Sequence, residues 1–450
     1  MRLAEAARAV EGVLVGDDTL FCGCVTDSRT LPRDALFVAL QGPRFDGHNF
    51  LDQALAAGAA AAMLERRMAR MRSELLVKDT RAALGALAST WRTRFERPVV
   101  AITGSNGKTT VKEMLHHILA GYGRVLATQG NLNNDIGVPL TLLQLDQEHR
   151  YAVLEMGANH PGEISALCAL ARPNVACVTQ CAPAHLEGFG TIDGVARAKG
   201  EIFAALPSDG TAVLNADDAY ASFWQGLIGE RRCMRFGLSA DAEVRAHDIG
   251  LSVHGSAFEL VTPSGASCVK LSLPGKHNVL NALAAAASAE ALGVSVSAMR
   301  QGLESMRPVK GRLEVKMGRG GCRVLDDSYN ANSGSFKAAL EVLGQYAGER
   351  WLVLGDMGEL GRAALSLHYQ LGEMAQQAGV KRLYAVGELS RQAVAAFGPG
   401  GCHFANPDAL LKALQGDLHQ DLTILIKGSR AARMENVVNA LLAGAEQPCC

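Results

Sequence analysis

Two rhythms alternate along this chain: short β-branched runs, and longer stretches with apolar residues three or four apart. Val99-Val100-Ala101-Ile102 is an apolar run of strand length. It passes through Gly104-Ser105-Asn106-Gly107-Lys108-Thr109-Thr110 into a helical pattern that starts at Val111 and runs towards Leu119. Similar runs predict strands over 151–156, 175–179 and 212–215, separated by helices over 163–171, 195–205 and 219–226. Strands and helices in strict alternation imply parallel strands with helices on both faces. The last third repeats this rhythm, with strands over 351–354, 382–386 and 423–427 and helices over 365–377, 390–397, 408–414 and 433–442.

Other stretches read differently. Residues 235–269 form short alternating segments broken by turns, which predict an antiparallel excursion, and a small-residue helix follows over 278–292. Near the N-terminus lie strand pieces over 12–15 and 35–40 and a helix over 49–58. A helix over 81–95, with Leu84, Leu87, Ala88, Trp91 and Phe95 on one face, leads into the strand at 99. The expected fold class is α/β in three domains. Residues 1–80 would form a small mixed α/β domain, 81–309 a central P-loop ATPase-like parallel-sheet domain, and 310–450 a Rossmann-like doubly wound domain.

Composition narrows the functional classes. The 450 residues are 48% hydrophobic and 20% charged, an ordinary globular balance, and are long enough for several cores. A net charge of −1 removes any general attraction to nucleic acid or anionic membrane. The Ala-rich stretch over 54–64 is too short for a span of about 20 residues, and the first residues lack a secretory-signal pattern. The 11 cysteines include Cys22 and Cys24, Cys177 and Cys181, and Cys449-Cys450, and none has paired C-x-x-C spacing. Reduced thiols in a cytoplasmic protein are expected, and no role is assigned to them.

The stretch at 104–110 carries the clearest chemistry. A strand, a glycine turn and a helix start aim backbone N–H groups and the positive end of a helix dipole at one spot. Lys108 adds a full charge, and the Thr109 hydroxyl suits a phosphate-bound magnesium ion. Only Ser105 and Asn106 separate the two glycines, a shortened form of the usual loop. Glu155 ends an apolar strand and is a natural second magnesium ligand. His185 follows the strand at 175–179 within a glycine-rich turn, where a structural and a catalytic role are equally open. Helical position alone makes Lys199 an ordinary surface lysine and Glu201 a solvated carboxylate. Thr26-Asp27-Ser28-Arg29 and residues 42–48 look like loops at strand ends, where ligands are commonly met.

Taken in order, these residues resemble the Mur ligase family, which builds the peptide of bacterial cell-wall precursors. The resemblance runs from about Asp27 to Glu435. It is carried by Thr103 to Thr110, Thr128-Gln129-Gly130-Asn131-Leu132-Asn133-Asn134, His185-Leu186-Glu187, Ala198-Lys199-Gly200-Glu201, His277-Asn278-Val279-Leu280-Asn281 and Gly311-Arg312. Asp327-Ser328-Tyr329-Asn330-Ala331-Asn332, the run Leu354 to Gly361 and Lys427-Gly428-Ser429-Arg430 are similar to the MurF type within it.

The resemblance implies an ATP-dependent amide ligase with two Mg2+ ions. Its implied substrates are UDP-N-acetylmuramoyl-tripeptide and D-alanyl-D-alanine, and no nucleic acid or membrane partner and no oligomer is expected. Gly104, Ser105, Asn106, Gly107, Lys108, Thr109 and Thr110 would hold the ATP phosphates, with Thr109 and Glu155 on the first ion. His185 and a carbamylated Lys199 would hold the second ion. Asn278 and Asn281 would contact adenine, Asp327 ribose, and Arg312 the γ-phosphate once the third domain closes. Lys108, Lys199, His185 and Arg312 are thus the implied catalytic set. Ser28, Arg29, Asp46, Gly47, His48, Asn131, Asn133, Asn330 and Asn332 would bind substrate.

One departure is Ser333, which stands where the pattern usually has proline and leaves the placement of Asn332 open. Competing readings are another amide ligase of the same superfamily, such as folylpolyglutamate synthetase, and a nucleotide-dependent switch. A switch would share the Lys108 loop but has no need of Lys199, His185 or a uridine-binding domain.

Overall fold

The computed structural model describes residues 1–443, so Cys449 and Cys450 lie outside the described residues. Three large sheets follow one another along the chain, with a two-stranded ribbon of Gln41–Gly42 and Phe45–Asp46 besides, in agreement with the expected α/β architecture. The first has five strands in the order Val13–Gly16, Ser73–Leu76, Ala61–Leu64, Leu36–Val38 and Cys24–Val25. All its neighbours are parallel except the first pair. The Ala61–Leu64 strand lies in the Ala-rich stretch and is wholly buried, small residues letting sheet and helix approach closely. The helix Thr80–Arg92, capped by the Asp79 side chain, then leads into the second sheet.

The second sheet has nine strands. Val99–Thr103 is the third strand from one edge, between His149–Glu155 and Val175–Val178, and Arg124–Ala127 forms that edge. The predicted antiparallel excursion exists but does not stand apart. Val244–Ser252, Gly255–Thr262 and Gly265–Leu271 extend this same sheet. The helices Lys108–Ala120 and Lys276–Glu290 cover one face, whose core includes Met114, Ile118 and Leu283. The helices Glu163–Ala171 and Ile192–Ala204 cover the other.

The third sheet has six strands in the order Glu314–Met317, Arg323–Asp327, Leu422–Lys427, Glu349–Gly355, Arg382–Val386 and Gly401–Phe404, parallel except at the first pair. The last strand in sequence therefore inserts between two early ones. That insertion makes a switch point, where loops diverge and leave a crevice at the carboxyl ends of the strands. Val99–Thr103 occupies the corresponding place in the second sheet, since the chain crosses from one side of it to the other after Glu155. The two crevices face one another.

Candidate active site

The loop at residues 104–107 turns directly from strand into helix. Gly104 holds φ +143°, and a Cβ there would lie 1.9 Å from Thr179 Oγ1; Gly107 holds φ +82°, and its Cβ would lie 2.2 Å from Asn281 Oδ1. Both positions need glycine for conformation and for space. Because Gly107 supplies that left-handed turn, the helix begins at Lys108, three residues before the hydrophobic pattern predicts. The first intrahelical bond runs from Val111 N to the Gly107 carbonyl, so the amides of 108–110 are left for a ligand. The loop is held by Ser105 Oγ donating to the Ala182 carbonyl at 2.9 Å and Thr179 Oγ1 donating to the Asn106 carbonyl at 2.5 Å. Lys108 Nζ folds back on the Gly104 carbonyl at 2.7 Å. Burial pushes its pKa down, with Glu155 opposing that shift and Arg312 adding to it.

Thr109 and Glu155 meet beside this loop. The Thr109 hydroxyl donates to Glu155 Oε2 at 2.8 Å, Asn133 Nδ2 donates to Oε1 at 2.7 Å, and the Glu155 amide donates to Thr128 Oγ1 at 3.0 Å. Among the described residues no three His, Cys, Asp or Glu side chains form a cage for a cation. A hydroxyl and a carboxylate next to a phosphate-type loop still fit Mg2+, because that ion keeps waters and takes its other ligands from phosphate.

Lys199 and Glu201 correct the reading from helical position. Lys199 is 1% exposed, on a helix whose Val195, Ala196, Ala198, Ile202 and Phe203 are also buried. It makes no salt bridge among the described residues, and its Nζ lies 5.4 Å from the Phe189 ring centroid. Burial, and next the charge of Lys108, push its pKa down to about 7. Glu201 is not free in solvent: it accepts from Gly162 N at 2.7 Å and Ser165 N at 3.0 Å, capping the Glu163–Ala171 helix. The helix exposes Asp193, Arg197 and Ala204 and turns its other side inward, so spacing marks a core face but gives no sign that a lysine lies within it.

His185 begins the short helix Leu186–Phe189 with φ +53°. Its ring meets Phe189 edge-on at 6.5 Å, so Phe189 contacts both His185 and Lys199. Its Nδ1 lies 2.5 Å from Glu359 Oε2 of the third sheet. The approach is off the ring N–H axis, so it is a close contact rather than an aligned hydrogen bond.

The third sheet reaches into the same space. Arg312 Nη2 donates to Thr109 Oγ1 at 2.9 Å while its guanidinium stacks 4.4 Å from the Tyr329 ring centroid. That contact is present in the structure as it stands and waits on no further closure. Asp327 and Lys427 are register partners at the ends of adjacent strands, their side chains 2.5 Å apart, and Lys427 also donates to the Asn330 carbonyl at 2.9 Å. Asn332 Nδ2 donates to Asn106 Oδ1 at 2.7 Å across 226 positions of chain. The expected looseness at Ser333 is absent. Asn332 and Ser335 form a capping box, and Ser333 sits where an unpaired helix N–H is normal. Asn278 donates to the Pro274 carbonyl at 2.8 Å and Asn281 to Asn278 Oδ1 at 3.2 Å.

Lys108, Thr109, Glu155, His185, Arg312, Asn332, Asn278 and Asn281 line one cavity of about 720 Å³, whereas Lys199, Glu201 and Glu359 lie outside its lining. Asn131, Asn133, Gly107, Thr110, Asp327 and Asn330 also line it. Lys427, His277, Arg81 and Asp135 line it too and were not expected there. Burial pushes His277 down to about 4, so it is a neutral wall. Arg81 pairs with Asp135, giving one 2.7 Å bond from Nη2 to Oδ1. Lys427 was visible only as part of a motif, since a lysine ending a strand gives no signal without its partner.

The five predicted residues of the first sheet do not reach that cavity. Ser28 Oγ donates to Gln53 at 2.8 Å, and Arg29 grips Asp27 through Nε at 2.9 Å and Nη2 at 2.7 Å. His48 is buried with both ring nitrogens engaged: Nδ1 lies 2.6 Å from Asp46, and Nε2 accepts from Glu65 N at 3.0 Å. Asp46 also takes Arg66 at 2.7 Å, which holds its carboxyl well below the usual range. Gly47 packs on the next backbone, where a Cβ would lie 2.8 Å from Leu40 N.

Comparison with known proteins agrees with this arrangement. Residues 21–92 match the Mur ligase family, catalytic domain; 102–289 the Mur ligase middle domain; and 311–430 the Mur ligase, glutamate ligase domain. The chain is 48% identical over 442 residues to the UDP-N-acetylmuramoyl-tripeptide–D-alanyl-D-alanine ligase of Escherichia coli (strain K12), covering 98% of each. It superposes on a crystal structure of MurF from Acinetobacter baumannii with TM-score 0.92 and 38% identity, over 97% of this chain and 98% of that one. The MurF ligase of Thermotoga maritima in complex with ADP gives TM-score 0.83 at 30% identity, over 93% and 96%.

Proposed function

The chain belongs to the Mur ligase family, and we infer that it joins D-alanyl-D-alanine to UDP-N-acetylmuramoyl-tripeptide with cleavage of ATP to ADP and phosphate, in peptidoglycan precursor synthesis. The observation that carries this reading is the meeting of Lys108, Thr109 and Glu155 with Arg312 and Asn332 in one cavity. A nucleotide switch needs the loop but not the second set. Nucleotide-linked substrates and ATP place the reaction in the cytoplasm. No described helix is long and apolar enough to cross a membrane.

A carboxylate and an ammonium group do not condense in water at neutral pH. Transfer of the γ-phosphoryl group to the tripeptide carboxylate gives an acyl phosphate and ADP. The deprotonated dipeptide amine then adds to the acyl carbon, and the tetrahedral intermediate expels phosphate to leave the amide. The amides of 108–110 and Lys108 hold the ATP phosphates in this reading. Arg312 neutralises charge on the transferring group and is itself held by Tyr329. Asn278 and Asn281 orient the adenine, Asp327 takes ribose, and Lys427 fixes the Asp327 carboxylate. Asn131, Asn133, Asn330 and Asn332 line the path of the muramyl substrate, and Ser28, Arg29, Asp46, Gly47 and His48 serve its uridine end.

Thr109 and Glu155 would hold one Mg2+, and His185 and Lys199 a second; bound there, these ions would supply charge neutralisation and Lewis acidity. For Lys199 to serve it must become an anion. Its neutral amine attacks carbon dioxide, a C–N bond forms, and one proton is released to solvent, leaving a carbamate. Burial supports this, because it keeps a large share of the amine neutral near pH 7.

One assay tests the activity. ATP and UDP-N-acetylmuramoyl-tripeptide are supplied, and phosphate release is compared with D-alanyl-D-alanine, a single amino acid, or no acceptor. Release that requires the dipeptide is expected; equal release with a single amino acid would place the chain in another branch of the family.

A further inference from the structure

His185 and Glu359 face one another where the second and third sheets touch. Neither is glycine, yet both hold a left-handed backbone, at φ +53° and +61°. That conformation disfavours any residue with a Cβ and persists where the surrounding structure fixes it. The two turns also meet through their backbones, since Glu187 N donates to the Glu359 carbonyl at 3.2 Å. A Cβ on Gly361 would come within 3.3 Å of Glu187 Cα. Docking therefore does not depend on the Glu359 carboxylate, which is left to act on His185 Nδ1 at 2.5 Å. The other ring nitrogen, Nε2, has no partner among the described residues, and the ring lines the cavity.

We propose that Glu359 is a positioning residue. Its carboxylate, delivered by the third domain, faces Nδ1 and fixes the orientation of the His185 ring so that Nε2 is presented to a divalent cation in the cavity. A carboxylate behind a ligating histidine raises its basicity and restrains its rotation. Because the carboxylate comes from the third sheet and the imidazole from the second, the second cation site is complete only while the two are docked. This inference rests on the reading of His185 as a cation ligand.

The test is Mn2+ titration of the full chain with ADP present, followed by electron paramagnetic resonance of the free ion. Glu359→Gln and Glu359→Gly are expected to weaken Mn2+ binding roughly tenfold or more, and Glu359→Asp less. The Mg2+ concentration for half-maximal turnover should rise in parallel, with the KM for the muramyl substrate unchanged. Glycine is the residue that φ +61° favours, so Glu359→Gly should melt at or above the wild-type temperature, which separates lost affinity from lost fold. Mn2+ affinity within twofold of wild type in both variants overturns the proposal. His185→Ala keeps the two readings distinguishable. Weakening in that variant but in no Glu359 variant removes the role of Glu359 alone, whereas no change in any of them removes the ligand reading and the proposal with it.

Discussion

The cavity between the second and third sheets and the polar cluster on the first sheet use the same residue types, but they are wired differently. In the cavity the decisive bonds join distant segments: Thr109 to Glu155, Arg312 to Thr109, Asn332 to Asn106. On the first sheet many bonds are to near neighbours, as in Asp27 to Arg29 and Asp46 to His48. A locally satisfied motif can form its loop before the rest of the protein folds. A site made of distant partners exists only in the finished structure, and its groups are held ready for charge that develops during reaction. The first kind should tolerate substitution with changes in binding or stability, and the second should lose catalysis.

The largest expected effect is at Lys108. Lys108→Ala should lower the rate of ADP formation by about three orders of magnitude or more, as expected when a principal charge on the transferring phosphoryl group is removed. Normal ADP production would undo the reading of the loop. Lys199→Ala should abolish turnover nearly as completely, with partial recovery on adding short-chain carboxylic acids to stand in for a carbamate. Arg312→Ala should cost about two orders of magnitude in kcat, and an unchanged kcat would mean that its bond to Thr109 is only structural.

Lys199 also separates catalysis from stability. Burial pushes its pKa down to about 7, below the ordinary lysine value of 10.5. The unfolded chain therefore holds more protons between those values, and the destabilisation deepens as pH falls from 10.5 towards 7 and is constant below. Lys199→Met should remove that penalty and stabilise the metal-free protein near pH 7 by a few kcal/mol. The gain should vanish above about pH 10, as thermal melts across that range would show.

Smaller effects come from the contact between sheets and from the first sheet. Asn332→Ala removes one bond between the sheets and one helix cap, so kcat should fall about tenfold and stability by about 1 kcal/mol. A larger loss of stability than of activity would place Asn332 with the locally wired group. His48→Ala should cost about 2 kcal/mol of stability, because it leaves the buried Glu65 amide without a partner and removes one of the side chains that hold Asp46. The KM for ATP should not move, and a changed ATP KM would break the contrast between the two regions.

Much of the architecture was legible in the sequence. The helix Glu163–Ala171 and the strand Arg382–Val386 match their predicted spans residue for residue, because unbroken apolar patterning and clear breakers mark them. The strand Arg323–Asp327 was missed: it ends in two acids, and its burial is intelligible only beside Lys316 and Lys427. The helix Ser333–Leu343 was missed because its cap, Asn332, sat inside a motif read for chemistry. Arg124–Ala127, a short edge strand that opens on arginine, gave too little contrast.

The loop at 104–110 is determined by the sequence itself. Two glycines, a lysine and a threonine between strand and helix fix the turn and the helix start, while Thr179 and Ala182 hold the loop in place. The ordered motifs were sufficient for family membership in the same way. Only the tertiary structure decided that Lys199 is buried, that Glu201 caps a neighbouring helix, and that Arg312 and Glu359 reach across from another sheet. The physical reason is the range of the interactions. Backbone conformation and amphipathic pattern are set within a few residues, whereas desolvation and pairing depend on partners up to 226 positions away.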